Sequence, residues 1–489
     1  MIVTPEVSWI SILPELVLAI GAAAVLLIDV QYKPVTRVLG GVAAFTLFVA
    51  TIFTWLQWVQ VGDVSVSGVF GALGELVVFS GMIVMDGYAV FGRFALLLMA
   101  ALGIAAGWKL LESLNRRGAE AIALILLATA GFSIMVASNN LVMMFLGLEV
   151  GSISLYILAG LTREKAMADE AAMKYFLLGS FASAIFVYGV ALLYAGTGQF
   201  EILAIRQFFS DFVVTSPAVV MIGLGLIIVG LGFKVSAAPF HSWAPDVYQG
   251  APAGVVGYMA AMAKIAGFLA IARILLTGVP QLEDSWLPVM AGLSALSMLV
   301  GSIVALVQSD IRRMLAYSGV AHAGFIMTGI VGGATTGMLF YVAVYALQLI
   351  GSFAVVAVVS GPGSSGSAID EYRGLGRRSP ALAMAFTVLL LGMAGLPLTS
   401  GFIAKFGVFS EAWANGFEWL VIVALLASVV AFGFYLRVIV AMYMDETEAE
   451  EVVVSAVARW VLAIAVVGTV LMGILPAPLI DFAANAFPL

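Results

Sequence analysis

The sequence predicts an all-α polytopic membrane protein with about fourteen transmembrane helices, including two inverted five-helix repeats that contain broken helices. Three observations lead there. Of 489 residues, 63% are hydrophobic and 10% charged, with a mean hydropathy of +1.14; soluble domains carry about 25% charged residues. Apolar runs of about 20 residues recur from end to end, each long enough to cross a bilayer core. Inside several runs lie ionisable side chains, and one at mid-membrane costs roughly 3 kcal/mol on insertion scales, so chance does not leave several there.

In chain order the spans fall near residues 10–30, 38–60, 86–111, 119–137, 140–161, 170–196, 217–239, 254–276, 286–308, 313–333, 335–360, 380–416, 418–444 and 455–478. The opening, MIVTPEVSW, has no basic stretch, so the first span is expected to be retained and not cleaved as a signal. Alternate loops hold Lys33 and Arg37; Arg116 and Arg117; Arg163 and Lys165; Arg312 and Arg313; and Arg373, Arg377 and Arg378. The intervening loops hold Arg206 and almost nothing else. By the positive-inside rule the basic set is cytoplasmic, which puts both termini on the outer, periplasmic side.

Two spans read as broken. The seventh runs into Pro239 within GFKVSAAPFHSWAPDVYQGAP, and the twelfth is interrupted by GLPLTSG at Gly395–Gly401. Proline removes a backbone donor, which membrane proteins tolerate where the freed groups line a protein-enclosed cavity. A plain proline kink is the alternative, but each break lies within ten residues of a lysine in an apolar run, Lys234 or Lys405.

A shift of 171 residues lays Lys234 on Lys405 and Ser138 on Ser309, matching spans four to eight with spans nine to thirteen. Five crossings is an odd number, so the copies must be oppositely oriented, a transporter architecture. The expected organisation is therefore spans one to three in 1–118, a first repeat in 119–276, a second, inverted repeat in 286–445, and the last span in 455–489. The match is imperfect: Glu149 falls on Val320 and Lys264 on Tyr435, with His322 and Arg437 two residues further on.

Four of the seven lysines (Lys174, Lys234, Lys264 and Lys405) fall inside apolar segments, as does Glu149. A lysine withdrawn from water releases its proton more readily, and a nearby carboxylate restores its hold. Such groups, bridged by water, can pass protons laterally through a membrane. Each has a structural alternative. For Glu149 it is an ion-pair partner that only holds helices together, and for Lys264 a donor to a broken-helix carbonyl. Lys174, one turn after Glu170, is equally a side chain that snorkels to the interface. His241, just after the break, is a relay candidate or a loop histidine satisfied by backbone. His322, mid-span in SGVAHAGF, is the better relay, because a neutral imidazole is cheap to bury and titrates near neutrality. Asp86 and Arg93 are candidates to pair. The acidic run Asp445, Glu446, Glu448, Glu450 and Glu451 reads as a solvated loop.

The chain has no cysteine, which removes disulfides, iron–sulfur ligation and zinc–thiolate sites. Its only histidines, His241 and His322, are at most a haem axial pair, and nothing near them resembles a cofactor pocket. No metal site or bound cofactor is expected. A formal charge of −7 without a basic patch gives no reason to expect nucleic acid.

FLGLEVGSISLYIL around Glu149, KVSAAPFHSWAPDVYQGAP after Lys234, AMAKIAGF around Lys264 and GLPLTSGFIAKF before Lys405 resemble the antiporter-like membrane subunits of respiratory complex I, relatives of multi-subunit cation/proton antiporter subunits. The resemblance covers nearly the whole chain. Within that family the opening ILPELVLAIGAAAVLLID and the lysine at Lys405 are similar to the subunit N type of bacterial NADH–quinone oxidoreductase; the subunit M type usually has glutamate there. The chain stops after span fourteen, so the long lateral helix of the subunit L type is not expected. The resemblance implies a Glu149–Lys234 pair in spans five and seven, Lys264 as the central lysine, Lys405 as the distal lysine, and Lys174 as the lysine of span six. It implies proton translocation in a bacterial inner membrane, driven by quinone reduction elsewhere. NADH, FMN, iron–sulfur clusters and quinone then belong to partner chains, the other membrane and peripheral subunits. Three rivals are a cation/proton antiporter subunit, a scaffold with vestigial charges, and a single-chain transporter, for which no clustered polar set stands out.

Overall fold

A computed structural model describes residues 8–64, 77–114, 117–162, 166–212, 217–360, 366–445 and 451–486. Arg116, Arg163, Lys165, Glu446, Glu448 and Glu450 lie outside the described residues. In lipid every backbone polar group must be satisfied within its own segment, so apolar runs become helices. Thirteen described helices are long and apolar enough to cross a membrane. The twelfth predicted span supplies one more crossing from two pieces, Pro380–Ala394 and Ser400–Ala414.

The eighth span (Ala253–Ala272), the tenth (Ile311–Val331) and the eleventh (Thr335–Val359) form the centre and are almost wholly buried, while the second (Thr36–Val64) and the last (Ala456–Ile474) turn broad apolar faces outward. Glycines bring neighbouring helices together. A Cβ on Gly131 of the fourth span (Arg117–Ala137) would lie 2.8 Å from the Gly147 carbonyl of the fifth (Leu141–Ala159). Gly189 and Gly223 do the same for the sixth (Ala166–Thr197) and seventh (Pro217–Lys234). Small residues at such crossings give the close contact that association in lipid depends on.

Loop contacts sort into two sets. On one side Arg37 meets Glu112, Asp246 takes both Lys174 and Arg313, and Arg373 meets Asp445. On the other, Asn139 donates to Gly81, Gln281 to the Arg206 carbonyl and Asn415 to the Gly332 carbonyl. Each of these contacts joins span ends or connections that the basic-residue alternation puts on one side.

One device occurs twice. Asn140 caps the fifth span, and the backbone there pairs with the chain beyond the sixth: Leu141 N–H to Phe200 O (2.9 Å) and Ile202 N–H to Asn139 O (2.6 Å). Asp310 caps the tenth span (Ile311–Val331), which pairs with the chain beyond the eleventh: Ile311 N–H to Ser367 O (2.6 Å) and Ile369 N–H to Ser309 O (3.0 Å).

Four expectations change. The third span is one helix only over Gly87–Ala106. It turns at Gly107, which backs onto the Gly254 carbonyl, before a short helix Trp108–Ser113. An amphipathic helix, Ile202–Asp211, lies between spans six and seven, and a two-residue ribbon pairs Val77–Val78 with Ile83–Val84. The helix of span seven stops at Lys234 and does not continue to Pro239. Asp86 and Arg93 do not pair. Asp86 caps the third span and holds Arg273 through both oxygens (2.8 and 2.9 Å), while Arg93 binds Glu15 (2.7 Å), Gln57 and the Ser11 carbonyl. Seven residues apart on one side of one helix, the two face different neighbours.

Candidate proton-relay site

Where the seventh span breaks, its orphaned backbone groups take side-chain partners. Phe233 O accepts from Trp243 Nε1 (3.0 Å), Ala238 N–H donates to Ser297 Oγ (2.9 Å), and Val235 O accepts from Lys264 Nζ (2.9 Å). Helix ends leave such groups unsatisfied, and here the protein supplies the missing partners. Lys264 also donates to Gly319 O on the tenth span (2.8 Å). A Cβ at Gly319 would stand 3.4 Å from Lys264 Cε, so glycine leaves the lysine room. The structural alternative for Lys264 therefore holds as geometry: it does bind a broken-helix carbonyl.

Lys234 is the last residue of its half-helix, 3% exposed, where the helix dipole favours a cation. An ammonium carries three donors; that of Lys234 donates to Ser152 Oγ (2.8 Å) and lies 4.9 Å from the centre of the Phe132 ring. Glu149, three residues before Ser152 on the fifth span, accepts from Ser183 on the sixth. The Glu149–Lys234 pair is thus open, its members held by two serines. Both serines and Lys234 line one small cavity of about 10 Å³, roughly the room a single water needs.

The break in span twelve follows the same logic. Gly395 ends Pro380–Ala394 at φ 87°, a left-handed conformation that favours glycine. Lys405, five residues into the second piece, reaches back to Ala394 O (2.8 Å) and to Ser428 Oγ (3.2 Å). Lys264 and Lys405 therefore play the same local part, each donating to a carbonyl at a helix break. The repeat alignment had instead matched Lys405 with Lys234.

His322 lies between these two lysines. It is 3% exposed, its Nδ1 is 3.0 Å from Tyr341 Oη, its Nε2 3.4 Å from Tyr435 Oη, and its ring stacks on Tyr345 at 4.2 Å. Tyr435 also bonds Ser318. One turn before His322, Gly319 O holds Lys264; one turn after it, Phe325 packs beneath Lys405 Nζ at 4.6 Å. Glu149, Lys234, Lys264, His322 and Lys405 are consequently linked from neighbour to neighbour across spans five, seven, eight, ten and twelve. Lys174 stands outside this line: it pairs with Glu170 (2.7 Å) and Asp246 (2.8 Å), with its side chain 41% exposed. His241 is half-buried against Tyr317 and has no hydrogen-bond partner at Nδ1 among the described residues. The tyrosines and serines that bridge the line escaped the sequence reading. Tyr435 carried one signal, since the repeat lays it on Lys264.

Residues 138–431 match the family model described as NADH:quinone oxidoreductase/Mrp antiporter, TM. NADH-quinone oxidoreductase subunit N 1 of Solibacter usitatus is 38% identical over 482 residues, 97% of this chain and 96% of that protein. NADH-quinone oxidoreductase subunit N of Mycobacterium tuberculosis is 44% identical over 378 residues, 75% of this chain and 71% of its own length. Among solved structures, a chain of respiratory complex I from Thermus thermophilus with bound aureothin superposes with a TM-score of 0.79 at 30% identity, covering 97% of this chain and all of that one. A chain of the archaeal membrane-bound sulfane sulfur reductase superposes at 0.87 with 25% identity, covering 98% and 97%.

Proposed function

This chain belongs to the NADH:quinone oxidoreductase/Mrp antiporter membrane family and to its subunit N group, and from that premise we propose how it acts. It is a proton-translocating membrane-arm subunit of an NADH-quinone oxidoreductase, complex I, and works with the other subunits of that complex. The observation that carries the reading of the site is the line of neighbouring groups that runs from half-buried Glu149 through buried Lys234, Lys264 and His322 to Lys405. Glu149 sets the proton affinity of Lys234 by approaching it or withdrawing to Ser183. Lys264 hands protons from the first unit to His322, and Lys405 is the terminal relay of the second. Lys174 and His241 are the weaker members; the ion pairs of Lys174 favour its structural alternative.

NADH, FMN, iron–sulfur clusters and quinone are assigned to partner subunits, and this chain to a bacterial inner membrane. The two five-helix units, 119–276 and 286–445, are inverted copies; the twice-used backbone device at Asn140 and Asp310 supports this. Both termini are assigned to the periplasmic side. Single cysteines near Arg117, Arg313 and Arg377 are expected to label only from the cytoplasm, and one near Asn140 only from outside. Labelling of the Arg117 and Asn140 sites from the same face would overturn the topology.

The purified complex, reconstituted in vesicles, is expected to oxidise NADH with quinone and to move protons as it does so. The antiporter reading predicts sodium- or potassium-driven proton exchange with no NADH oxidation. Observing that pattern would replace the proposal.

A further inference from the structure

Two cavities meet at Arg37, away from the relay. One, of about 1010 Å³, is an apolar groove between the second span (Thr36–Val64) and the third (Gly87–Ala106), closed at one end by Trp108 and Val457. The other, of about 510 Å³, sets Asp29, Lys33, Arg37 and Glu112 beside Pro34, Val35 and Leu39. Along the second span the groove runs from Arg37 to Thr51. At 1.5 Å per residue that is about 20 Å, somewhat more than one leaflet of a hydrocarbon core about 30 Å thick. Trp108 stands at the polar end, the level where tryptophan is enriched in membrane proteins.

We propose that this double cavity is a binding site for a phospholipid with an ethanolamine headgroup, its acyl chain in the groove and its headgroup at Arg37. The charge pattern selects the headgroup. Lys33 and Arg37 match a phosphate, and guanidinium matches it bidentately. Asp29 and Glu112 match a primary ammonium, which has both positive charge and N–H donors to give; a choline head has the charge without the donors, and a glycerol head has hydroxyl donors without the charge. The protein does not close the site on itself. Arg37 reaches Glu112 only at 3.4 Å with its side chain 81% exposed, and among the described residues Asp29 and Lys33 enter no ion pair. Gly41, on the groove wall, would have nothing within 4 Å of an added Cβ.

That opening supplies the test. The complex is purified in mild detergent, washed free of loosely held lipid, and its phospholipids are counted by mass spectrometry. Dioleoyl phosphatidylethanolamine, phosphatidylcholine and phosphatidylglycerol are then added back in competition. Wild type is expected to retain phosphatidylethanolamine and to prefer it on re-addition by about tenfold, a difference of 1.4 kcal/mol. Gly41→Phe fills the groove and should lose the retained lipid while the complex keeps its size and NADH oxidation. The double substitution Asp29→Asn with Glu112→Gln, in the last turns of their helices, should shift preference to phosphatidylglycerol; it carries the test if Gly41→Phe does not assemble. Complete wash-out from wild type, unchanged retention in Gly41→Phe, or equal binding of the three lipids would each overturn the proposal.

Discussion

Replacing Lys405 with arginine is expected to stop NADH-driven proton pumping nearly as completely as replacing it with alanine. The lysine donates to the Ala394 carbonyl at the break of span twelve and to Ser428. Arginine retains a positive charge and five donors, so it can still serve that carbonyl. It cannot deprotonate, because a guanidinium stays charged in any protein environment. Alanine removes both the charge and the donor, leaving Ala394 O short of a partner at a cost of about 1–3 kcal/mol. Stability therefore separates the two variants, while loss of pumping unites them. Losing a positioned proton-transfer group lowers rates by about 10²–10⁴-fold where it limits turnover, so both variants should fall at least tenfold in lumen acidification per unit time. Full pumping by Lys405→Arg would mean that only a fixed charge is needed there.

The second large effect is expected at Glu149. Its carboxylate takes a hydrogen bond from Ser183, while Lys234 is held by Ser152, and both serines and Lys234 border one water-sized cavity. Removing Glu149 leaves Lys234 without a counter-charge in a buried site, so it should deprotonate and stop cycling. Glu149→Ala and Lys234→Ala should each cut pumping and electron transfer by about tenfold or more, with the complex still assembled on native gels. Glu149→Asp keeps the carboxylate, set back by one methylene, and should retain much more activity. Normal rates in Glu149→Ala would remove the pair from the mechanism.

What could be read in the sequence follows from where the free-energy cost is concentrated. A lysine in an apolar run is costly wherever the chain folds, so Lys234, Lys264 and Lys405 stood out without neighbours. The breaks at Pro239 and at Gly395–Gly401 were visible because proline and glycine act on the local backbone. Partners distant in sequence were not visible. Arg273 is 187 residues from Asp86, and Arg93 is 78 from Glu15; the nearer Asp86–Arg93 alternative was wrong because it ignored which neighbour each side chain faces. Tyr341, Tyr345 and Tyr435 share the composition of any apolar helix, and only packing around His322 distinguishes them. The open geometry of Glu149 and Lys234 was hidden for the same reason, since Ser152 and Ser183 look like ordinary small residues in a helix.

The backbone pairings at Asn140–Glu201 and Asp310–Ala368 also bear on how the chain is made. Each joins residues roughly sixty positions apart, with two complete crossings between them. Closing a long loop has an entropic cost that the later contact must offset. During synthesis the fifth span can enter the bilayer at once, but its first residues are not tied until the sixth has crossed and returned. The tenth waits in the same way for the eleventh. Each pair of crossings should therefore become resistant to proteolysis in one step, when the second member arrives, and not helix by helix. Arrested translation products ending between the two spans of a pair would leave that loop open to protease.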